Sequence, residues 1–369
     1  MKTLKDLANP WVQNLPIYEP GKPIEEVARE LGFENPDDIF KLASNENALG
    51  PSPKAMAAMR EAAGQMHRYP DGDAFYLKRA LAARLGVEPG QILPGNGSNE
   101  IIELLGHVFL SPDTGIVAGD RAFVVYRLVA AASRAEVVAV PMPNYTHDLD
   151  AMARAVKPST RIVFIGNPNN PTGTLVGQEA VDRFMANVPD HAVVCFDEAY
   201  IDLLPPERRP DVLQYVRAGR NVVVLRTFSK LYGLAGLRIG YAVAPPEAVR
   251  LMNRVRQPFN VNAMAMAAAL AAMDDHAFVE RTRALVREGL ETLEGGFARL
   301  GLPCVPSAAN FVLVEVKRGR EVFEALQRRG VVVRPMDGYG LPDHVRITVG
   351  TAKENARCLR ALREVLADR

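Results

Sequence analysis

Cysteine is scarce in this chain. Its three cysteines, Cys195, Cys304 and Cys358, show no CxxC spacing, which excludes a disulfide framework and a cysteine zinc site. Cys195 lies within an apolar run and reads as a small core residue. The six histidines are scattered, without a His-x-His or HExxH pattern, so no metal-binding constellation is offered. An excess of one charge is missing too, since 44 Lys plus Arg face 43 Asp plus Glu. No basic stripe stands out, which argues against nucleic acid or a lipid surface as the main partner. The longest run of small apolar residues, Ala263 to Met273, is too short and too rich in Ala and Met to span a bilayer. The opening MKTLKDLANP has no apolar signal core, and a reducing cytoplasm is the expected setting. Also absent are a GxSxG elbow, a Walker A loop and a GxGxxG fingerprint. Those absences set aside a serine hydrolase and a nucleotide-binding enzyme.

What is present is the composition of a folded globular protein, 48% hydrophobic and 24% charged. Its 369 residues suit two domains better than one. From about residue 90 to 245, short β-rich runs alternate with helical stretches. The strand candidates are Ile92-Leu93, Gly115 to Ala118, Glu136 to Val140, Arg161 to Ile165, Ala192 to Phe196, Val222 to Leu225 and Arg238 to Val243. Several are apolar throughout, as strands covered on both faces are. With helices such as Asn99 to Phe109 and Gln178 to Asn187 between them, they predict an α/β domain with a largely parallel sheet. Beyond Ala263 the texture changes. An Ala/Met/Leu stretch, whose Met264, Met266 and Met273 read as core, leads into an amphipathic helix at roughly Asp274 to Leu300. A small α+β module follows: strand Phe311 to Val316, helix Arg320 to Arg329, strand Val331 to Arg334, strand Val345 to Val349 and a terminal helix. Residues 1–40 are Pro-rich and read as an arm, residues 41–262 as the large domain and residues 263–369 as the small one.

The most informative segment is TFSKLYGLAGLRIGY, residues 227–241. Lys230 follows a buried-strand pattern, Val222 to Leu225, and so sits where a strand gives way to a loop. A desolvated lysine has a lowered pKa and can act as a free amine, which Schiff-base chemistry requires. Thr227, Ser229 and Arg238 close by suit a dianionic phosphate. An isolated Ser-Lys would read as a surface lysine, but three further motifs point the other way. Gly95-Asn96-Gly97-Ser98-Asn99-Glu100 joins a strand to a helix, where exposed N–H groups and the helix dipole favour an anion. Read alone, it would pass for an Asn-Gly turn with Ser98 as N-cap. Asn167-Pro168-Asn169-Asn170-Pro171-Thr172-Gly173 makes a stiff turn at a strand's carboxyl end, the edge where open α/β sheets bind ligands. Phe196-Asp197-Glu198-Ala199-Tyr200 puts a carboxylate at the end of a buried strand, where it needs a cationic partner. A pyridinium nitrogen is such a partner, and a metal-binding Asp-Glu pair is the alternative.

In combination these motifs resemble fold-type I pyridoxal-phosphate enzymes, and specifically the histidinol-phosphate aminotransferase group. NPNNPTG (167–173), FDEAY (196–200) and TFSKLYGLAGLRIGY carry the likeness, with KLASNENALGPSP (41–53), RYPD (68–71) and RITVGT (346–351) in the same order along nearly the whole chain. The resemblance implies a large domain with a mostly parallel seven-stranded sheet plus a small α+β domain. It implies that Lys230 binds the aldehyde of pyridoxal 5'-phosphate covalently and later shuttles a proton. Asp197 would pair with the ring nitrogen, and Asn170 and Tyr200 would hold the ring oxygen. Ser98, Asn99, Thr227, Ser229 and Arg238 would bind the cofactor phosphate. Phe123, in Arg121-Ala122-Phe123, would stack on the ring despite an altered lead-in. Tyr69 would reach a phosphate in the neighbouring subunit of a homodimer with shared active sites.

For the substrate, Arg346 matches the family's binding arginine, and its planar fork suits carboxylate or phosphate. Arg334 is a plausible partner, with Tyr18 and Asn47 as further pocket residues. The expected reaction is transfer of the amino group of L-histidinol phosphate to 2-oxoglutarate by a ping-pong mechanism. Relatives of this fold transaminate aromatic amino acids or decarboxylate a phosphorylated amino acid, using the same lysine and aspartate. Regulators that borrow the fold carry a fused DNA-binding domain, and residues 1–40 are too short and Pro-rich for one.

Overall fold

The computed structural model describes residues 2–15, 17, 21 and 23–368. Seven strands form the main sheet: β1 (Ile92–Gly95), β2 (Gly115–Gly119), β3 (Glu136–Val140), β4 (Thr160–Gly166), β5 (Val193–Asp197), β6 (Val222–Thr227) and β7 (Gly240–Val243). Their order is β1-β7-β6-β5-β4-β2-β3. Neighbours from β6 to β3 run parallel, whereas β7 is antiparallel to both β6 and β1. Helices cover both faces, and this explains the unbroken apolar runs. The period-2 alternation sends Ile165, Phe196 and Val224 into one core cluster and Phe164, Cys195 and Val223 into the other.

Register then gathers the motifs. Gly166 lies opposite Asp197 and Asp197 opposite Leu225. Thr227 and Gly95 both lie opposite Gly240. The loops after β1, β4, β5 and β6 therefore open on one sheet edge, the usual ligand-binding edge of such folds.

A second, antiparallel sheet comprises β8 (Cys304–Val305), β9 (Phe311–Glu315), β10 (Arg334–Pro335) and β11 (His344–Thr348), in the order β10-β11-β9-β8. The expected strand Val331 to Arg334 is in fact two. Val331–Val332 pairs in parallel with Phe40–Lys41, and Arg334–Pro335 pairs with β11. The change of partner keeps Val331 and Val333 in the small core while Arg334 turns toward the cavity. Next to this junction, Val27 and Ala28 of helix Ile24–Leu31 pack with Ile39, Ala43 and Val332. The Ala/Met/Leu stretch forms a separate helix, Ala263–Met273, and the amphipathic helix expected at Asp274 to Leu300 follows it, running unbroken from His276 to Arg299. Asp275 caps the second helix through Phe278 N–H and also accepts from the Ser52 hydroxyl at 2.6 Å. Met266 and Met273 are core residues, whereas Met264, expected with them, is only half-buried. Among the described residues, no helix is long and apolar enough to cross a membrane.

Candidate active site

Where the two sheets meet, a cavity of about 390 Å³ opens at the shared strand edge. One end is built for an anion. Helix Ser98–Phe109 begins at Ser98 with Gly97 as its N-cap, in the left-handed region at φ 77°. Ser98 is thus not spent on capping, and its hydroxyl and the first free N–H groups point the helix start at the cavity. A Cβ on Gly97 would fall 2.4 Å from Arg238 Nη2, so the glycine is what lets the guanidinium lie against this turn. Arg238 itself takes φ 55° and donates Nη1 to the Ala235 carbonyl at 3.0 Å. Beside it the Thr227 hydroxyl donates to Ser229 Oγ at 3.0 Å, and Ser229 N–H donates to Thr227 Oγ1 at 3.1 Å. Ser98, Asn99, Thr227, Ser229 and Arg238 all line the cavity. Glu100, the position that breaks a dinucleotide fingerprint, instead accepts from Asn96 N–H and Asn260 Nδ2, each at 2.6 Å.

At the centre stands Lys230, whose Nζ donates to the Ser44 carbonyl at 3.3 Å and lies 5.6 Å from the Tyr200 ring centroid. Burial, reinforced by the positive charges of Arg346 and Arg238, lowers its pKa to about 8 against the pull of Glu46 and Asp197. Asp197 is buried at the far end. Its Oδ2 accepts from the Tyr126 hydroxyl at 2.8 Å and its Oδ1 from Ala199 N–H at 3.2 Å. Both donors are neutral, and among the described residues no cation lies within ion-pair distance of this carboxylate. Burial accordingly pushes its pKa up, while the two hydrogen bonds and Lys230 pull it down. Such a group calls for a positive partner brought by a ligand. Glu198 faces elsewhere, paired with Arg226 Nη2 at 2.8 Å. Among the described residues, no group of three or more His, Cys, Asp or Glu is placed to hold a metal.

Tyr200 accepts a hydrogen bond from Asn45 Nδ2 at 2.9 Å, which keeps its own proton available to donate. Burial raises that phenol to about 12, so it stays protonated at neutral pH. Asn170 accepts from Arg346 Nη1 at 2.5 Å, leaving the amide NH2 as the group able to donate into the cavity. Arg346 also donates Nη2 to the Ala43 carbonyl at 2.7 Å and lies over the Phe311 ring at 5.2 Å. Arg334 is its direct cross-strand neighbour, and both line the cavity, as does Phe123. Two like charges directly opposite on adjacent strands repel, a cost that a bound anion offsets.

The family model "Aminotransferase class I and II" matches residues 37–362. The chain belongs to this family. A histidinol-phosphate aminotransferase of Akkermansia muciniphila is 51% identical over 99% of this chain and 100% of its own length. One of Moorella thermoacetica is 51% identical over 95% of this chain and 90% of its own. The crystal structure of histidinol-phosphate aminotransferase from Sinorhizobium meliloti in complex with pyridoxal-5'-phosphate shares the fold, with a TM-score of 0.88, 28% identity and 98% of each chain covered.

In this aminotransferase two expected site residues lie away from the cavity of their own chain. Asn47 departs from its expected place in the substrate pocket. Its Nδ2 donates to the Leu231 carbonyl at 3.0 Å and to Thr282 Oγ1 at 3.2 Å, tying the lysine loop to helix His276–Arg299. A short amide that can bond backbone on either side looks the same in sequence whether it braces a loop or faces a ligand. Tyr69 is 84% exposed and stacks on Phe259 at 4.7 Å. Tyr18 falls outside the described residues. Asn45, Tyr126 and Tyr339 also line the cavity, and none of them was among the expected site residues. Asn45 sits at φ 55°, a conformation asparagine tolerates well, but its tie to Tyr200 spans 155 positions and leaves no local signal.

Proposed function

We propose that this aminotransferase transfers the amino group of L-histidinol phosphate to 2-oxoglutarate, yielding imidazole-acetol phosphate and glutamate, with pyridoxal 5'-phosphate as cofactor. The observation that carries the reading is one cavity with two separate anion-seeking ends. The end around Ser98, Ser229 and Arg238 suits the cofactor phosphate, and the Arg334–Arg346 pair suits a doubly charged substrate group. Between them, the buried Asp197 lacks the cation that a pyridinium nitrogen would supply. The residues fit the cofactor.

When bound, pyridoxal phosphate supplies an electron sink for the bond broken at the donor's Cα. The chain's own groups do the rest. Asp197 would hold the proton on the ring nitrogen, Tyr200 and Asn170 would hold the ring oxygen, and Phe123 would cover a ring face. Lys230, with a pKa near 8, can take a proton from the donor's Cα and return one near neutral pH. Arg346, with Arg334, orients first the donor and then the 2-oxo acid in ping-pong order. The reading includes a homodimer, with Tyr69 of each subunit reaching the other's phosphate site, and action in the cytoplasm. It divides the chain into an arm (1–40), a large cofactor-binding domain (41–262) and a small domain (263–369), in keeping with the separate seven- and four-stranded sheets, which the short pairing of Phe40–Lys41 with Val331–Val332 links.

The test is to mix cofactor-loaded protein with candidate amino donors and follow the cofactor's absorbance. Histidinol phosphate should convert it at far lower concentration than phenylalanine or tyrosine. Equal or better conversion by an aromatic amino acid would transfer the assignment to an aromatic aminotransferase. Release of carbon dioxide from a phosphorylated amino acid would overturn transamination altogether.

A further inference from the structure

Tyr126, at the start of helix Val125–Ala132, lies three residues beyond Phe123, and the two rings meet edge to face at 5.7 Å. Only 1% of Tyr126 is exposed, and its ring stacks on Phe164 at 4.5 Å with planes 1° apart. Phenylalanine would satisfy both ring contacts. The hydroxyl is what remains to be explained, and its partner is Asp197 Oδ2, at 2.8 Å and 71 positions away. With Ala199 N–H on Oδ1, the carboxylate has one donor on each oxygen. Two donors fix the plane of the group, and each oxygen keeps acceptor capacity for a ligand N–H.

We propose that Tyr126 is a positioning residue for the reaction, its hydroxyl holding the Asp197 carboxylate ionised and in plane for the cofactor's ring nitrogen. The inference rests on the pyridoxal-phosphate reading above. Besides Tyr126, the titratable groups facing Asp197 are Lys230 on the loop after β6, Tyr200 just beyond β5 and Cys195 within β5. Of these Lys230 alone carries positive charge, and it is committed to the reaction. Burial favours the neutral acid, and the Tyr126 hydrogen bond opposes it. Without that donor, Asp197 would compete more strongly for the proton it would share with the ring nitrogen of a bound cofactor, which would leave less positive charge on the ring.

The experiment uses holoenzyme carrying cofactor labelled with nitrogen-15 in the ring. In Tyr126→Phe the ring-nitrogen resonance should move toward that of neutral pyridine. The kcat should fall on the order of tenfold, the scale of one charge-assisted hydrogen bond, with KM for 2-oxoglutarate little changed. In an Asp197→Asn background the same substitution should add nothing. An unmoved resonance in a variant that melts like the parent overturns the proposal, and so does full additivity with Asp197→Asn. Phe164→Leu disturbs the stacking and spares the hydroxyl. If it displaces the resonance as far as Tyr126→Phe does, packing is the cause and the proposal falls. Should Tyr126→Phe load cofactor poorly, carbon-13 titration of Asp197 in cofactor-free protein decides. Its midpoint should be higher than in the parent, and an equal midpoint overturns the role. A parent protein that gives no bound-cofactor signal refutes the cofactor reading itself, which is distinct from a parent signal that Tyr126→Phe leaves in place.

Discussion

Lys230 is held where its charge is unwelcome. Burial, Arg346 and Arg238 lower its pKa from 10.5 to about 8, so the cofactor-free protein destabilises the ammonium relative to the unfolded chain. At pH 7 both states are protonated and the full penalty applies. As pH rises from about 8 toward 10.5 the folded state has already released its proton, and the penalty fades. Cofactor-free Lys230→Met should therefore be more stable than the parent at pH 7, by up to on the order of 3 kcal/mol. The gain should shrink steadily toward pH 10 in thermal melts, and a gain independent of pH would contradict the buried ammonium. The same variant should show no covalent cofactor absorbance. Arg346 makes the complementary case. Its two Nη atoms divide between Asn170 and the Ala43 carbonyl, a division a single ammonium cannot reproduce. Arg346→Lys is expected to lower kcat/KM by roughly 100-fold in steady-state assays, or about 2.7 kcal/mol. A loss below about threefold would show that charge alone suffices.

At the scale of elements, the sheet is fastened beneath the site by Glu198, just past β5, and Arg226 on β6. They pair at 2.8 Å, with Asp202 at 3.7 Å from the same guanidinium. Burial raises Glu198 to about 7 despite that partner, so neither group rests comfortably without the other. Glu198→Ala should cost roughly 3 kcal/mol, the lower end for a broken buried pair because Asp202 remains. Adding Arg226→Met should recover most of it in urea unfolding. Gly289 poses a test of opposite intuition. Alanine is intrinsically favoured in a helix by about 1 kcal/mol, but a Cβ here would lie 2.3 Å from Val349 Cγ1. Val349 is stiff and directly follows β11, the strand of Arg346. Overpacking of about 1–3 kcal/mol should outweigh propensity, so Gly289→Ala should lower the urea midpoint.

Elements of this kind differ in how far sequence reveals them. The buried parallel strands were legible because both faces are covered, so that runs such as Val222 to Leu225 have no polar side to blur the signal. The Val331 to Arg334 segment was not, because its division between two sheets depends on Phe40–Lys41, some 290 positions away along the chain. The same contrast holds in the site. Lys230, Ser229 and Arg238 announce themselves within one short loop. Asn45 and Tyr126 act only through partners that folding brings near.

At the scale of the whole molecule, Tyr69 is hard to explain in one chain. It is 84% exposed, and Tyr76, Phe75 and Phe259 nearby in sequence or in space are 73%, 48% and 45% exposed. A cluster of exposed aromatic side chains is more typical of an interface than of a monomer's free surface. If Tyr69 completes the phosphate end of a second subunit's cavity, each site draws Lys230 from one chain and Tyr69 from the other. Two weakened variants then make a strict test. In a hybrid of Lys230→Ala with Tyr69→Ala, one site carries both changes and the other carries neither. Random exchange makes half the dimers hybrids, each with one intact site, so mixing should restore roughly a quarter of the parent's activity. The recovery should require subunit exchange and follow the hybrid fraction measured by native mass spectrometry. If both residues served the same chain's site, no hybrid could contain an intact one, and mixing would restore nothing.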